Sequence, residues 1–298
     1  MVQIILGTLF VFAVMFIFIF VKDYLAVKKE GKLENINFFT AGAIGAVVNF
    51  FDTLGVGSFA PSAAIFKFTK MVDDKQIPGT LNVANCLPVI AEAFIFITVV
   101  KVDTTTLVAI LVSCSLGAYI GAGLVSKLPK VKVQLSMAVA LLLVATIMIC
   151  KMTGLMPPGG DAVGLTGIKL VIGCIGAFIA GITQCFGVGC FAPIMALVFT
   201  LGMSPLVAFP IMMGSAAFLQ PVASIKFVKE GAFNRHLSMA FNIFGVVGVL
   251  LAAFLVKSMS VDTLNKLVVA VVFITSVSML RSAVGKNESK SEPVMASN

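Results

Sequence analysis

Polar residues punctuate this chain rather than alternate through it. Apolar runs of about 20 residues, long enough to cross a bilayer as a helix, recur almost from end to end. They are separated by short charged or Gly/Pro-containing segments. The pattern predicts uninterrupted spans at 4–21, 78–100, 104–126, 133–152, 205–228, 236–256 and 264–280, with Pro88 kinking the second of them. Two further runs are interrupted. Helical pieces at 38–51 and 59–68 flank a break at 52–58, and pieces at 165–183 and 190–201 flank a break at 184–189. In the first case neither piece alone reaches the length of a crossing. The first span has no basic segment before it and no small-residue cleavage site after it, so it reads as a retained span and not as a signal peptide.

The two breaks say nearly the same thing. Leu54-Gly55-Val56-Gly57-Ser58-Phe59-Ala60-Pro61 matches Phe186-Gly187-Val188-Gly189-Cys190-Phe191-Ala192-Pro193 at a constant offset of 132, which also relates Pro78 to Pro210. Paired interruptions at corresponding places in two halves mark the binding site of a transporter built from repeats. Unwound backbone survives within a bilayer only where protein or a watery cavity satisfies it.

Charge sets the topology. If each broken element is a re-entrant hairpin, each half contributes one hairpin and three crossings, and the second half is inverted relative to the first. Sixteen of the 21 Lys and Arg residues then fall on the face of the connector after the first span, leaving Lys101, Lys151, Lys169, Lys257 and Lys266 on the other. A single crossing per broken element would put the basic loop Lys127-Leu128-Pro129-Lys130-Val131-Lys132 on the wrong side of the positive-inside rule. The reading is therefore an all-α polytopic membrane protein: an N-terminal transmembrane helix and cytoplasmic connector (1–35), a first transmembrane repeat (36–153), an inverted second repeat (165–281) and a polar, disordered cytoplasmic tail (282–298). It is a multi-pass protein of the cell membrane with its N-terminus outside and its C-terminus in the cytoplasm.

Composition agrees: 59% of residues are hydrophobic and 11% charged, against roughly 25% charged in a soluble domain. The net charge of +8 belongs to loops between spans and so reads as membrane orientation, with no nucleic-acid partner. Six cysteines lie in apolar segments without a CxxC pair, which is neither a disulfide framework nor a zinc site. No HExxH, GxSxG or phosphate-loop motif occurs, so neither an intramembrane enzyme nor an ATP-driven pump is expected, and no cofactor. Oligomeric state leaves no signature.

With no basic residue deep in a span, an anion would be held by helix N-termini at the breaks and by neutral polar side chains. Ser58 is placed as an N-cap. Asp52, whose counterpart at offset 132 is Gln184, could cap backbone N–H groups at the first break. Asp52 and Glu92 are the acids placed inside apolar segments, where a carboxylate costs about 3 kcal/mol or more and marks an ion path, a proton relay or a polar pairing. Glu92 shares a helix face with Asn82, Asn85 and Val89. Proton coupling through Glu92 or Asp52 is one expectation, structural hydrogen bonding another. The substrate-binding candidates are Asn49, Asp52, Thr53, Gly55, Gly57, Ser58, Asn82, Asn85, Gln184, Cys185, Gly187, Gly189, Cys190, Ser215 and Gln220; Cys185 and Cys190 would favour a soft, sulfur-containing ligand.

Two halves, each opening with a Gly-rich broken helix followed by a Pro-started span, with Gly79-Thr80 and a nearby Asn in the first, resemble the sulfite exporter TauE/SafE family of membrane permeases from about Asn37 to Arg281. Several members carry a longer glycine run where this chain has Gly55-Val56-Gly57 after Asp52. The resemblance implies a secondary carrier of small anions, such as sulfite, sulfonates or other sulfur-containing organic acids, working by export or uptake. The partners expected are a small anionic substrate and the lipid bilayer, with the ligand between the two breaks near the midplane and alternating access to either side. The competing reading is a channel, or a cation or metal carrier, using the intramembrane carboxylates and thiols.

Overall fold

The computed structural model describes residues 2–54, 57–96, 102–152 and 159–258. Gly55, the expected span 264–280 and the tail 282–298 lie outside them. Among the described residues the regular structure is eleven α-helices and one isolated β-bridge. The helices are α1 (Val2–Lys29), α2 (Phe38–Thr53), α3 (Phe59–Thr69), α4 (Ile77–Ala84), α5 (Cys86–Phe96), α6 (Thr104–Val125), α7 (Lys130–Met152), α8 (Gly167–Cys185), α9 (Phe191–Thr200), α10 (Pro205–Glu230) and α11 (Arg235–Ser258). Five of them contain stretches long and apolar enough to cross a membrane: Gln3–Lys29, Thr104–Val125, Gly167–Cys185, Pro210–Glu230 and Arg235–Leu255. Phe10, Phe18, Val112, Ile175 and Phe254 are exposed along these helices, as side chains in contact with lipid would be. The chain is a multi-pass, all-α membrane protein.

Local chemistry explains most boundaries. Helix α1 runs eight residues beyond the expected 4–21 because no glycine or proline intervenes before Gly31. Its last turn carries Lys28 and Lys29, charges favourable at a helix C-terminus. Asn37 caps α2 by accepting from the Thr40 N–H at 2.9 Å, and Asp103 caps α6 by accepting from the Thr106 N–H at 2.8 Å. At both glycine breaks the first helix runs further than expected, so Asp52 and Gln184 sit in its last turn and not in the break.

The largest departure is at 78–100. A kinked single helix is expected there, and the chain instead forms α4 and α5, separated at Asn85. Pro88 has no N–H and its ring excludes the carbonyl four residues back, which loosens the helix around Ala84. Neighbouring helices fill the gap. The Asn242 amide of α11 inserts between the parted groups, donating to the Val83 carbonyl at 2.8 Å and accepting from the Leu87 N–H at 2.9 Å. From α10, Gln220 Nε2 and Ser224 Oγ both donate to the Asn82 carbonyl at 2.9 Å.

Packing joins helices that are far apart in the chain. Helix α2 packs along α11, α8 packs along α6, and α10 lies centrally against α4, α5 and α6, with α1 laid against α10 and α5. Small residues permit the closest crossings, as they do in membranes generally. A Cβ at Gly117 would collide with the Phe178 carbonyl, one at Gly181 with the Cys114 carbonyl, and one at Gly248 with the Ala46 carbonyl. The Gly117-x-x-x-Gly121 pattern is thus part of the α6–α8 contact.

Two groups of connecting segments are each tied together. In one, Arg235 Nε donates to Asp23 at 2.7 Å and the Arg235 N–H to Glu34 at 3.0 Å. The Asn234 N–H donates to Thr80 Oγ1 at 2.9 Å, while Lys67 and Gln134 both bond Asp74 and Lys130 bonds Asp73. In the other, the Asp103 N–H donates to the Val163 carbonyl at 3.0 Å and the Gly160 N–H to the Met203 carbonyl at 3.0 Å. There too Lys169 Nζ donates to the Leu201 carbonyl at 3.4 Å. The α2–α3 hairpin has both its ends among the first group, and the α8–α9 hairpin has both among the second.

Candidate functional site

The short helices α3 and α9 begin alike. Gly57 has φ +87°, Gly187 +93° and Gly189 +71°, backbone angles that L-residues with a Cβ adopt only at a cost. Each helix then starts with Phe-Ala-Pro. Proline in the first turn costs no hydrogen bond, because the N–H it lacks would have had no helical partner. Phe59 and Ala60, and likewise Phe191 and Ala192, therefore direct first-turn N–H groups out of the helix start.

The two breaks meet. A Cβ built on Gly189 would lie 3.4 Å from the Phe59 Cβ, and one on Gly187 would lie 3.6 Å from Leu81 and 3.5 Å from Met137. The second break thus sits against the start of α3 and against α4.

Their caps differ. At the second break Gln184 Oε1 accepts from the Cys190 N–H at 2.9 Å, while its Nε2 donates to Gln220 Oε1 at 2.5 Å. At the first break Asp52 occupies the corresponding place. Ser58 lies beside its carboxylate, but neither carboxylate oxygen makes a hydrogen bond of ordinary geometry. Ser58 stands at the N-cap position of α3, but its side chain makes no capping bond. The expected N-cap is thus a matter of position only, and the expected capping by a side chain is carried out at the second break by Gln184.

Amide pairs link each broken element to the proline-containing segment that follows it. Asn49 Nδ2 donates to Asn85 Oδ1 at 3.1 Å, as Gln184 does to Gln220, and both pairs are 36 residues apart. Asn49, Asp52, Thr53, Ser58, Asn82, Asn85, Glu92, Gln184, Cys185, Cys190, Ser215 and Gln220 are all buried. Asp52 and Glu92 are the buried acids among the described residues, and no Lys or Arg is buried there. Thr53 Oγ1 lies 3.0 Å from Glu92 Oε1.

The sequence candidates divide by what their atoms already do. Cys185 is turned onto α6, its thiol donating to the Ala118 carbonyl at 3.2 Å, so it packs the α6–α8 contact. Cys190 stays at the break, where its N–H is held by Gln184. The side-chain NH2 groups of Asn82, Asn85, Gln184 and Gln220 each make one hydrogen bond and retain a second N–H. Ser62 and Ser215 have buried hydroxyls without partners. Neutral donors are therefore plentiful. Asn49 Oδ1, Asn82 Oδ1, Glu92 Oε2 and both Asp52 oxygens are buried acceptors without partners.

Sequence reasoning passed over Asn242, Ser224 and Ser62. Asn242 was signalled by being an amide inside an apolar run, and Ser224 by being the counterpart of Glu92 at offset 132. No group of three or more His, Cys, Asp or Glu side chains suited to a metal occurs among the described residues.

No curated protein and no solved structure matches the chain. A family model described as Sulfite exporter TauE/SafE matches residues 1–148 and 169–297. That match spans nearly the whole of a chain whose helices carry paired glycine breaks meeting in a polar interior, and the chain belongs to the TauE/SafE family of membrane transport proteins.

Proposed function

We propose that this protein is a secondary transporter of a small sulfur-containing oxyanion, sulfite or an organic sulfonate, held where the two glycine breaks meet. The observation that carries the reading is the approach of Gly189 to Phe59, which brings two helix starts from different halves together. Each offers first-turn N–H groups and the positive end of a helix dipole. The spare amide N–H groups of Asn82, Asn85, Gln184 and Gln220 and the hydroxyls of Ser58 and Ser215 complete a neutral donor set suited to an oxyanion. Release is as necessary to a carrier as binding, and neutral donors hold an anion less tightly than a buried Lys or Arg would.

The exchanged packing of α2 on α11 and α8 on α6 supports two inverted repeats. So does the return of each hairpin to its own group of connecting segments. In this arrangement the segment with Asp73, Lys130 and Arg235 faces the cytoplasm. Rocking of one set of helices against the other would expose the break region to each side in turn.

The test is a thermal-shift panel on detergent-purified protein with sulfite, sulfate, thiosulfate, methanesulfonate, acetate and a set of mono- and divalent cations. Binding to the folded state raises the melting temperature. Sulfite or methanesulfonate should raise it in a saturable manner, and a panel in which only cations do so would overturn the reading.

A further inference from the structure

We infer that Glu92 is the seat of a transported proton, positioned by Thr53, and that this proton must be bound for the anion to occupy the neighbouring break. The inference rests on the anion reading above and supplies its coupling ion.

The first argument is a count of protons. Thr53 Oγ1 lies 2.8 Å from the Asn49 carbonyl and 3.0 Å from Glu92 Oε1. A hydroxyl has one proton to donate, whereas an ionised Glu92 and the carbonyl are both acceptors. A proton on Glu92 resolves the conflict: Glu92 donates to Thr53 Oγ1, and Thr53 donates to the Asn49 carbonyl.

The second argument is the surroundings. Glu92 Oε2 and Asn49 Oδ1 are buried without partners, and the Asp52 carboxyl is buried with them beside Ser58. Asn49 stands three and four residues before Asp52 and Thr53, on the same face of α2. Its amide nitrogen is committed to the Gly45 carbonyl and Asn85 Oδ1, leaving its oxygen as a further acceptor. This cluster lacks positive charge.

The groups facing it from each neighbouring helix are few. Asp52 comes from α2, and the Cys190 thiol, at the start of α9, is near Asp52 and Cys114. The nearest thiol of α5 itself, Cys86, interacts with Ser224 of α10. The charged groups of α10 and α11 are at their ends, where Lys226 pairs with Glu230 and Arg235 with Asp23. With Glu92 and Asp52 both ionised, a third negative charge at the adjoining break would be repelled at low effective dielectric. Proton binding and anion binding therefore promote each other, as linkage requires.

The experiment is infrared difference spectroscopy of the full-length protein between acid and alkaline buffer, which reads buried protonated carboxyls directly and needs no substrate. Wild type should show a protonated-carboxyl band that Glu92→Gln lacks and Asp52→Asn retains. Thr53→Val should shift that band, since the carboxyl loses its hydrogen-bond acceptor; this variant keeps the test usable if Glu92→Gln does not fold. In proteoliposomes, a pH gradient should drive methanesulfonate flux in wild type and not in Glu92→Gln. A band that survives intact in Glu92→Gln, or that Thr53→Val leaves unmoved, overturns the proton seat. So does gradient-driven flux in Glu92→Gln, or flux that follows a sodium gradient and ignores pH. If the carboxyl band behaves as expected while no anion binds wild type, the seat stands and the anion reading fails.

Discussion

Gln184 shows how much one side chain does here. It caps α9 through Oε1 and joins α8 to α10 through Nε2, so Gln184→Leu leaves the buried Cys190 N–H and Gln220 Oε1 without these partners. Each such buried group costs about 1–3 kcal/mol, and the melting temperature of the purified protein should fall accordingly, further than for Gln184→Glu. Charged residues outside the bilayer matter less. Lys130 beside Asp73, with the Lys75 N–H donating to the same carboxylate, holds the Asp73 pKa below the usual range. A depressed carboxylate pKa contributes stability above the unfolded value of about 3.9 and loses it as pH falls through the folded value. The pair is half exposed, so solvent screening leaves its contribution small. Melting curves of Lys130→Met should therefore differ slightly from wild type near neutral pH and converge with it in acid. At this scale the sequence was informative wherever a polar residue stood out of an apolar run. Asp52, Glu92 and Gln184 were visible for that reason. What their atoms bond was not, because the partners, Thr53 for Glu92 and Cys190 and Gln220 for Gln184, come from other elements.

Among the elements, the α4–α5 interruption carries the clearest lesson. Proline at 88 announced a disturbance, but a kink and a full break differ only in whether neighbours satisfy the freed backbone groups. Asn242, Gln220 and Ser224 do so from α10 and α11, at separations no local pattern encodes. A double-mutant cycle tests the assignment. Asn242→Leu should destabilise by roughly 1–3 kcal/mol while Pro88 is present, and by clearly less in a Pro88→Ala background, where Leu87 can return to an ordinary helical bond. Equal losses in both backgrounds would show that Asn242 contributes only by packing. The hairpins were easier to read, since glycines on both sides of a valine and a following Phe-Ala-Pro leave few other structures open. Helix ends were less so: Asp52 and Gln184 belong to the preceding helical turns, each capped by backbone bonds near Leu54 and Phe186.

At the scale of the whole molecule, helices far apart in the chain hold one another among the described residues. The offset of 132 is legible in the sequence, whereas the pairing of α2 with α11 and of α8 with α6 depends on close crossings at glycines whose partners cannot be read from spacing. Inversion makes a sided prediction. Cysteines introduced as Lys70→Cys and Asp161→Cys, in a background with Cys150 and Cys174 replaced by alanine, should react with an impermeant maleimide from opposite sides of sealed vesicles. Labelling of both from one side would contradict the inverted arrangement.

In the proposed reading an oxyanion sits where Gly189 meets the start of α3. Equilibrium binding of radiolabelled sulfite to purified wild-type and Gly189→Val protein tests it most directly. A side chain there meets Phe59 and forces a φ of +71° on a β-branched residue. Saturable binding to wild type, weakened about tenfold or more in a folded variant (~1.4 kcal/mol), is the predicted result. Equal affinity in the two proteins would place the anion elsewhere and contradict the account.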